Sequence, residues 1–479
     1  SVSNGHERAH VEIGRGDSLK AAWNQGVQRV RIWLKQQKLP PRWLRVDAVS
    51  DVLELTWLEL KQRFRETKTN YFKWGVSWDP EFRVALLEQE LCGTSSLYTG
   101  DINACTPNQH NVQRLLHRRF GIERGWPEDD EQRIWIFRTR AVFSDGHETV
   151  ALEHEGRMAG VRKIEALDAD RVFDLVRRAS GYLARQVRAD GKWNYGWAPA
   201  FDKPIPSYNS LRHASSAYAL LEGWELTQDP EHLAAAEKAL VYLCRELIHD
   251  SRLPDGTAVS YLVDVGNEIK LGGNAVALLA LAKHAKLTGD THRYPLMEKL
   301  ALGLLAMQDP ETGGFVHVLE YPSLALKEKT RTIYYDGEAA FGLLRLYDLT
   351  RDPRWLSAVR QAMDHFIASE HWRAHDHWLG YCITEFTQHV PEEKYFLFGI
   401  QNVREHLDFV LTRLTAYPTL LELMMAAEKM FTRMREDDEL RHMLHAELDL
   451  EKFDRALNYR ARYLLNGYFF PELAMFFKA

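Results

Sequence analysis

From Asp168 onward, apolar residues recur every three to four positions. This spacing is typical of amphipathic helices, which usually run for about eight to twenty residues. Short turns and long connections alternate between the predicted helices, so the pattern indicates six helical hairpins. The twelve helices are predicted to begin near Ala169, Asn209, Glu231, Gly273, Thr291, Asp336, Arg354, Asp376, Glu392, Thr419, Leu450 and Pro471.

Three short turns have similar sequences: LTQDP at 226–230, LTGD at 287–290 and LTRDP at 349–353. Their aspartates lie 61 and 62 positions apart, a repeat long enough for one helical hairpin and one long connection. Six such hairpins predict a closed (α/α)6 toroid. The long connections would then form a cup over the N-terminal ends of the inner helices, which favour anions and hydroxyls. The inner helices are predicted to begin at Asn209, Gly273, Asp336, Asp376, Thr419 and Pro471.

The first third of the chain has a different pattern. Residues 1–17 are polar and contain glycine, and we expect them to be disordered. Residues 18–167 are predicted to form a smaller mixed α/β domain, and residues 168–479 the toroid. Within the mixed domain we expect a helix from Ser18 to about Gln37 and a helix over 82–91. A β-hairpin over 134–153 is predicted to turn at Asp145-Gly146.

Composition narrows the possible functions. The net charge is −6, with 61 basic and 67 acidic residues mixed along the chain, which argues against a nucleic-acid partner. No apolar run reaches the roughly 18 residues of a membrane-spanning helix. A basic helix over 111–120 could contact a protein partner through the N-terminal domain, although a solvated helix face is the more common explanation of such a pattern.

The four cysteines match no zinc or redox motif, and neither a metal nor a cofactor is expected. Free thiols favour a reducing, cytoplasmic location. Because the chain starts at Ser1, a removed signal peptide and hence a secreted or periplasmic location stay open. The cysteines are Cys92, Cys105, Cys244 and Cys382.

Candidate chemistry appears first around the start of the second helix of the toroid. Arg212 could clamp a carboxylate, and His213 could move a proton. A buried Arg and His that hold a loop would be the structural alternative. The neighbouring candidates for substrate binding are Trp193, Tyr195, Tyr208 and Asn209.

A second group of candidates lies at 331–338. Asp336 or Glu338 is the expected acid, but residues two apart on a helix point about 200° apart, so both cannot face one substrate. One of the two would therefore cap the helix, as acids do at helix N-termini. Tyr334 and Tyr335 are candidates for proton transfer or stacking, and Arg331 for binding.

The other candidates are spread along the toroid. His377 is predicted to be catalytic and Asp376 to bind substrate, and no metal-ligand spacing links them to His371 or His375. The further candidates for hydrogen bonds to sugar hydroxyls are Asn274, His317 and Asn466.

These residues carry a resemblance to a known group of proteins. The six hairpins, the loop DGKW at 190–193 and the LTxDP turns resemble the (α/α)6 toroid superfamily, which includes N-acylglucosamine 2-epimerases and unsaturated glucuronyl hydrolases. The segment YNSLRH at 208–213 is similar to the helical domain of D-glucuronyl C5-epimerases. The resemblance covers residues 168–479.

The resemblance implies a carbohydrate-active enzyme, either a hydrolase, an epimerase or a lyase. Its substrate would be an anionic or amino-sugar oligosaccharide or polysaccharide. The alternative is a non-catalytic or peptide-directed protein that holds a partner chain or a lipid in the cup, because a fold does not fix a function.

Overall fold

The computed structural model describes residues 1–5, 8–37, 40–69, 71–156, 159–163, 168–198, 203–328, 331–413 and 418–465. The chain forms two compact units. Among the described residues, the first lies within Ser1–Glu165 and Gly196–Ile205, and the second within Ala166–Tyr195 and Pro206–Leu465. The domain boundary expected near Leu167 falls outside the described residues.

The first unit is built on an antiparallel sheet with strand order β1-β2-β5-β3-β4, in which β6 also pairs with β5. The strands are β1 Val2–Ser3, β2 Trp43–Thr56, β3 Gly75–Ser77, β4 Ala85–Leu86, β5 Arg133–Ser144 and β6 Thr149–Ala151. The helices are α1 Leu19–Leu34, α2 Trp57–Glu66, α3 Glu88–Gly93 and α4 Gln109–Phe120. A separate hairpin consists of β7 Trp197–Ala198 and β8 Lys203–Pro204.

The sequence of the first unit explains most of its elements. Thr56 and Glu59 form a capping box that starts α2, and Trp57 of this helix stacks on Trp126 in the core. The hairpin expected over 134–153 is present as β5 and β6.

Two expectations about the first unit are wrong. Residues 1–17 are not all disordered, because Val2 is buried and its strand pairs with Leu44 of β2. Residues 82–91 are not one helix, because Ala85–Leu86 pair with β3 as a strand before α3 begins. In both places, pairing with a distant strand outweighs the local preference of the sequence.

The second unit is mainly helical. Its helices are α5 Ala169–Arg185, α6 Ser210–Thr227, α7 Pro230–Tyr242, α8 Leu271–Thr288, α9 Tyr294–Ala306, α10 Tyr335–Thr350, α11 Pro353–Ala368, α12 His377–His389, α13 Glu393–Arg404, α14 Leu407–Thr412, α15 Pro418–Met434, α16 Asp438–Glu447 and α17 Leu450–Leu465. A five-stranded antiparallel sheet is formed by two of the long connections, with order β13-β12-β11-β10-β9. Its strands are β9 Ile248–Arg252, β10 Ala258–Asp264, β11 Glu268–Lys270, β12 Val318–Glu320 and β13 Leu326–Glu328.

The helices of the second unit close into a ring. Each of the inner helices α6, α8, α10, α12 and α15 contacts the next, and the circuit continues through α17 and α5 back to α6. The predicted toroid is therefore confirmed. The five inner helices begin within two residues of their predicted starts, and the sixth start, at Pro471, lies outside the described residues.

The repeated LT turns are the devices that reverse the chain between an inner and an outer helix. Gln228, Gly289 and Arg351 follow α6, α8 and α10 in the left-handed conformation, with φ of 53°, 74° and 56°. Asp229 and Asp352 then cap the first turns of α7 and α11. One short sequence thus ends one helix and starts the next, which explains why it recurs.

Inner helix α8 shows why the ring is stable. Residues 271–285 are buried without a break, so this helix has no solvated face.

Within the described residues, no helix combines the length and the apolar character needed to cross a membrane.

Asn274 fastens α8 to the sheet. Its Oδ1 accepts a hydrogen bond from Leu262 N at 2.7 Å, and its Nδ2 donates to Leu262 O and Lys270 O. Asn274 is fully buried, so this predicted substrate-binding residue is occupied by backbone partners.

We expect Asn274→Ala to destabilise the protein by about 1–3 kcal/mol, because it leaves buried backbone groups unpaired. Urea unfolding followed by tryptophan fluorescence measures the loss. The control is Asn458→Ala, which removes an exposed hydrogen bond to Asp454 O on α17 and should change stability by less than about 0.5 kcal/mol. Equal stability of the two variants would contradict the fastening role.

Candidate active site

The N-terminal ends of neighbouring inner helices meet at one end of the ring. A Cβ placed on Gly272 of α8 would lie 2.1 Å from Glu338 Oε2 of α10, and one on Gly337 would lie 2.8 Å from Asp376 Oδ2. His377 of α12 lies 3.4 Å, Nε2 to Oε2, from Glu422 of α15. The predicted candidates Glu338, Asp376 and His377 at the starts of α10 and α12 are thus brought together, along with Glu422.

Asp336 is held in its ionised form. His317 Nδ1 accepts a hydrogen bond from Thr332 N at 2.7 Å, so His317 Nε2 carries the proton and donates it to Asp336 Oδ1 at 2.9 Å. Arg331 Nε donates to Asp336 Oδ2 at 2.7 Å. Burial opposes ionisation, but these two donors outweigh it and hold the pKa of Asp336 below its ordinary value.

This arrangement fixes the orientation of the Arg331 side chain. Asp336 occupies its Nε, and among the described residues no group pairs with its two terminal Nη atoms. The side chain is about one-third exposed. A guanidinium held at one edge presents its other donors in a fixed direction, which suits a carboxylate or a sugar hydroxyl.

Glu338 and Asp376 form a buried pair of carboxyl groups. Burial, and then the negative charge of Asp376, raises the pKa of Glu338 well above its ordinary value. Burial raises the pKa of Asp376 in the same way, although its Oδ1 accepts a hydrogen bond from Trp378 N as the cap of α12. Glu338 Oε2 and Asp376 Oδ2 have no hydrogen-bond partner among the described residues. The raised pKa values favour the protonated form of both carboxyl groups next to the ionised Asp336.

His377 is the group best suited to accept a proton. Its side chain is 8% exposed, and burial lowers the pKa of its imidazole to about 4, so the ring is neutral near pH 7. Its contact with Glu422 is longer than an ordinary hydrogen bond and leaves Nε2 available. The ring of Tyr334 packs edge-on against His377 at 5.1 Å, and Tyr334 itself is 44% exposed.

Glu422 and Tyr381 complete the surroundings of His377. Burial raises the pKa of Glu422, and the neighbouring Tyr381 hydroxyl partly counteracts this by hydrogen bonding. Burial and the charge of Glu422 raise the pKa of Tyr381. The site thus combines a neutral base with a phenol and an acid whose pKa values are both raised.

Tyr335 and His371 also lie close to Asp336 and His317. The ring of Tyr335 lies 5.6 Å from that of His317, and burial raises the pKa of Tyr335. His371 Nδ1 lies 3.6 Å from Asp336 Oδ2. Burial, and then the charge of Arg331, lowers the pKa of His371 to about 4. Among the described residues, no three His, Cys, Asp or Glu side chains are arranged to hold a metal ion.

The candidates at the start of α6 form a separate, structural group. His213 is buried; its Nε2 donates to Ala239 O at 2.8 Å and its Nδ1 accepts from the Tyr208 hydroxyl at 2.7 Å. That hydroxyl in turn accepts from Trp193 N, and the ring of Tyr195 packs against Tyr208. Both imidazole nitrogens are therefore occupied in holding the loop.

Asn209 and Arg212 differ from that group. Asn209 caps α6 by accepting from Arg212 N and also donates to Asp264. The Arg212 side chain is exposed and has no partner among the described residues. Asn466 lies outside the described residues.

Tyr381 and Glu422 were not predicted from the sequence. A signal was present on α12, where His377, Tyr381 and Glu385 follow one another at intervals of four and share one helix face. Glu422 carries no comparable signal, because a single Glu among Leu and Met is typical of a solvated helix face.

Comparison with known proteins finds similar chains among solved structures. No protein-family model and no curated protein sequence matches the chain. Among solved structures, a D-mannose isomerase is 12% identical with a TM-score of 0.46, covering 64% of this chain and 88% of its own. Cellobiose 2-epimerase from Bacillus thermoamylovorans B4167 is 11% identical with a TM-score of 0.47, covering 62% and 87%. Unsaturated glucuronyl hydrolase from Bacillus sp. GL1 is 21% identical with a TM-score of 0.32, covering 40% and 55%.

The roles of the residues described above rest on their own geometry.

Proposed function

We propose that the helical unit is a carbohydrate-active enzyme that moves a proton at a sugar carbon, as an epimerase or isomerase does. The observation that carries this proposal is the neutral, buried His377, whose Nε2 lies 3.4 Å from Glu422 Oε2 and whose ring packs against that of Tyr381. A base that is neutral near pH 7 and a neighbouring hydroxyl that can donate a proton are what such a transfer requires.

In the proposed reaction, His377 Nε2 accepts the proton from the carbon next to the carbonyl of an open-chain sugar. The electron pair of that C–H bond moves toward the carbonyl, and its oxygen takes a proton from Glu422 or Tyr381. The His377 imidazolium then gives its proton back to carbon, where the electron pair of the enediol double bond forms the new C–H bond. As the carbonyl re-forms, an enediol hydroxyl returns a proton to the donor oxygen. The exposed ring of Tyr334 would stack on the sugar, as aromatic faces do with apolar C–H surfaces.

The substrate class expected from the sequence is an anionic or amino-sugar oligosaccharide or polysaccharide. The fixed orientation of the Arg331 guanidinium supports an anionic substrate. Its two Nη groups have no partner among the described residues, and together they match a carboxylate. Arg212 would supply a second cation. An amino group would instead be attracted by Glu422 and Tyr334, an acid and an exposed aromatic ring.

Glycoside hydrolysis is the second candidate function. It is favoured by the combination of an ionised Asp336 and a Glu338 that retains its proton on the same helix start. Glu338 is 4% exposed, and its Oε2 packs on Gly272, which makes it a less accessible donor than Glu422. We therefore place proton transfer at carbon first.

The polar residues of the site also bear on the non-catalytic alternative. A cup that held a lipid or a peptide would be lined by apolar side chains. The groups around His377 are instead acids, phenols and a guanidinium, which supports catalysis.

The proposal is tested by incubating the protein in D2O with neutral, carboxylated and amino-sugar substrates and recording NMR spectra. Deuterium at the carbon next to the carbonyl reports epimerisation or isomerisation, and a new reducing end reports hydrolysis. Neither signal with any sugar class would contradict the enzymatic proposal.

We expect Arg331→Gln to raise KM for carboxylated sugars about ten- to a hundred-fold, which is the loss of one charge-assisted contact. KM for neutral sugars should not change. The control is Arg351→Gln, which removes an exposed guanidinium at the far end of α10. An equal effect on both sugar classes would mean that Arg331 only supports the loop.

A further inference from the structure

Helix α1 differs from the other helices of the first unit, because the fold buries none of its residues. Leu19 and Trp23 are 75% and 49% exposed. Helix α2, by contrast, buries Trp57, Leu60 and Phe64. Helix α1 therefore carries apolar side chains that the core of the unit does not use.

One face of α1 packs against the segment 10–16. Arg29 Nη1 donates to Ile13 O at 2.7 Å, and the ring of Trp33 stacks on that of His10 at 4.4 Å. These contacts hold the helix and cover the face that carries Arg29 and Trp33. The rest of the helix surface is left open.

The face next to this contact is an apolar stripe. At about 3.6 residues per turn, five apolar residues fall within ~80° of the helix circumference. The apolar stripe consists of Leu19, Trp23, Val27, Val30 and Leu34. It runs the length of the helix, and none of its residues is buried.

A row of basic residues borders the stripe on its other side. Lys20, Arg31 and the C-cap Lys35, here called the basic row, fall within the next ~80° of the circumference. All three are exposed, and none forms an ion pair within the part of the chain that the structure describes. The sequence contains no acidic residue between Asp17 and Asp47. An apolar stripe bordered by cations is typical of a helix that lies in the plane of a membrane surface.

We propose that α1 binds an anionic phospholipid surface, with the apolar stripe among the acyl chains and the basic row at the headgroups. The polar atoms of the stripe and the row belong to Trp, Lys and Arg side chains, which donate hydrogen bonds and accept none. They match negative charge without a directional pattern, which suits lipid headgroups better than one folded protein. The aliphatic members of the stripe suit acyl chains better than sugar rings. The proposal does not depend on the proposed sugar chemistry.

The basic helix that the sequence suggests for a partner contact, α4, lacks this arrangement. Its apolar residues pack in the core of the first unit, and Arg119 pairs with the buried Glu90. Arg114 and Arg118 are exposed. Helix α4 therefore provides basic residues for a control without an apolar stripe beside them.

Binding of the full chain to vesicles tests the proposal. The protein is sedimented with vesicles of phosphatidylcholine mixed with phosphatidylglycerol, and with vesicles of phosphatidylcholine alone. A basic residue near an anionic surface contributes about five-fold to the partition coefficient. Replacing the whole basic row by Gln should therefore lower binding to the mixed vesicles about a hundred-fold. The wild type should bind phosphatidylcholine alone as weakly as this variant does.

The matched control removes the same charge elsewhere in the first unit. It combines Arg114→Gln, Arg118→Gln and Arg124→Gln, all at exposed positions. We expect binding to the mixed vesicles to fall less than about five-fold in this variant. Equal losses in the two triple variants would mean that total charge determines binding, and would overturn the role of α1.

The apolar stripe is tested by Trp23→Ser. This variant should bind the mixed vesicles about ten-fold more weakly, because it removes the largest apolar side chain of the stripe. Its melting temperature should not change, since no residue of α1 is buried. The control Ile102→Ser removes an apolar side chain that is 68% exposed between α3 and α4, and should leave binding unchanged.

Three further results would overturn the proposal. The first is a wild-type protein that does not bind the mixed vesicles. The second is full binding in Trp23→Ser, which would show that the stripe does not enter the bilayer. The third is a wild-type dimer, measured by light scattering without lipid, that Trp23→Ser converts to a monomer; the stripe would then bind a second copy of the chain. None of these measurements uses a sugar, so they leave the proposed function to its own test.

Discussion

His377→Asn is expected to lower kcat by about 10²- to 10⁴-fold, the usual contribution of a positioned general base. Asn keeps a polar side chain of similar size but cannot accept a proton. Its effect should appear in kcat more than in KM, because the imidazole is needed for the transfer and not for sugar binding. Initial rates on the sugar that gives the strongest D2O signal measure the loss.

A matched control lies on the same helix. His389 is in the last turn of α12, and its Nε2 lies 2.9 Å from Asp348 Oδ1, away from the N-terminal end. His389→Asn should retain the wild-type kcat. Equal losses in the two variants, or a melting temperature lowered only in His377→Asn, would trace the effect to folding and remove His377 from the mechanism.

The pH dependence of the wild type gives the same assignment an independent test. The His377 ring loses its basic form only as pH falls through its pKa of about 4. The acidic limb of kcat/KM should therefore lie near pH 4 and not near the ordinary histidine value of about 6.5. An acidic limb near 6.5 would mean that an exposed histidine, and not His377, is the base.

The ring itself was predictable from local sequence. The LT turns contain both a helix end and a helix start, so three copies identify the hairpins and their period without any tertiary information. The long apolar helices follow in the same way, because burial on all sides removes the polar face that an outer helix shows.

The chemistry of individual residues was harder to predict because it depends on distant partners. His213 and His377 both stand at the start of an inner helix, after an aromatic loop or a histidine cluster. The structure separates them by contacts that lie far apart in sequence: Ala239 O occupies His213, whereas His377 faces Glu422. The same holds for Asp336, whose ionised state depends on His317 from the preceding connection.

The sequence predicts that Asp336 and Glu338 do not act on one substrate together, and the surroundings of the two acids differ. Asp336 is paired with two donors, whereas Glu338 packs against Gly272 with an unpaired oxygen. Neither caps α10 with its side chain, contrary to the expectation that one of them would. The cap position is taken by Tyr334, whose side chain makes no capping hydrogen bond. Asp336 instead pairs with His317 and Arg331 of the preceding connection, and Glu338 packs on Gly272 of α8.

Glu338→Gln is expected to stabilise the protein at neutral and alkaline pH. Burial and Asp376 raise the pKa of Glu338 in the folded state, so the folded protein holds a proton that the unfolded chain has released. Between the unfolded pKa of about 4.3 and the raised folded pKa, a single such carboxyl lowers the free energy of unfolding by about 1.4 kcal/mol per pH unit. The stability it contributes is complete below the lower value and is lost as pH rises.

Gln has the shape of the protonated acid and no charge to desolvate, so the variant should lose this part of the pH dependence. Unfolding by urea at a series of pH values from 4 to 9 measures the slope in both proteins. Glu320→Gln, at an exposed position in β12, is the control and should leave the slope unchanged. A slope equal to that of wild type in Glu338→Gln would show that Glu338 ionises freely. In that case Asp376, the other buried carboxyl, would be the group whose raised pKa favours a bound proton at the start of the inner helices.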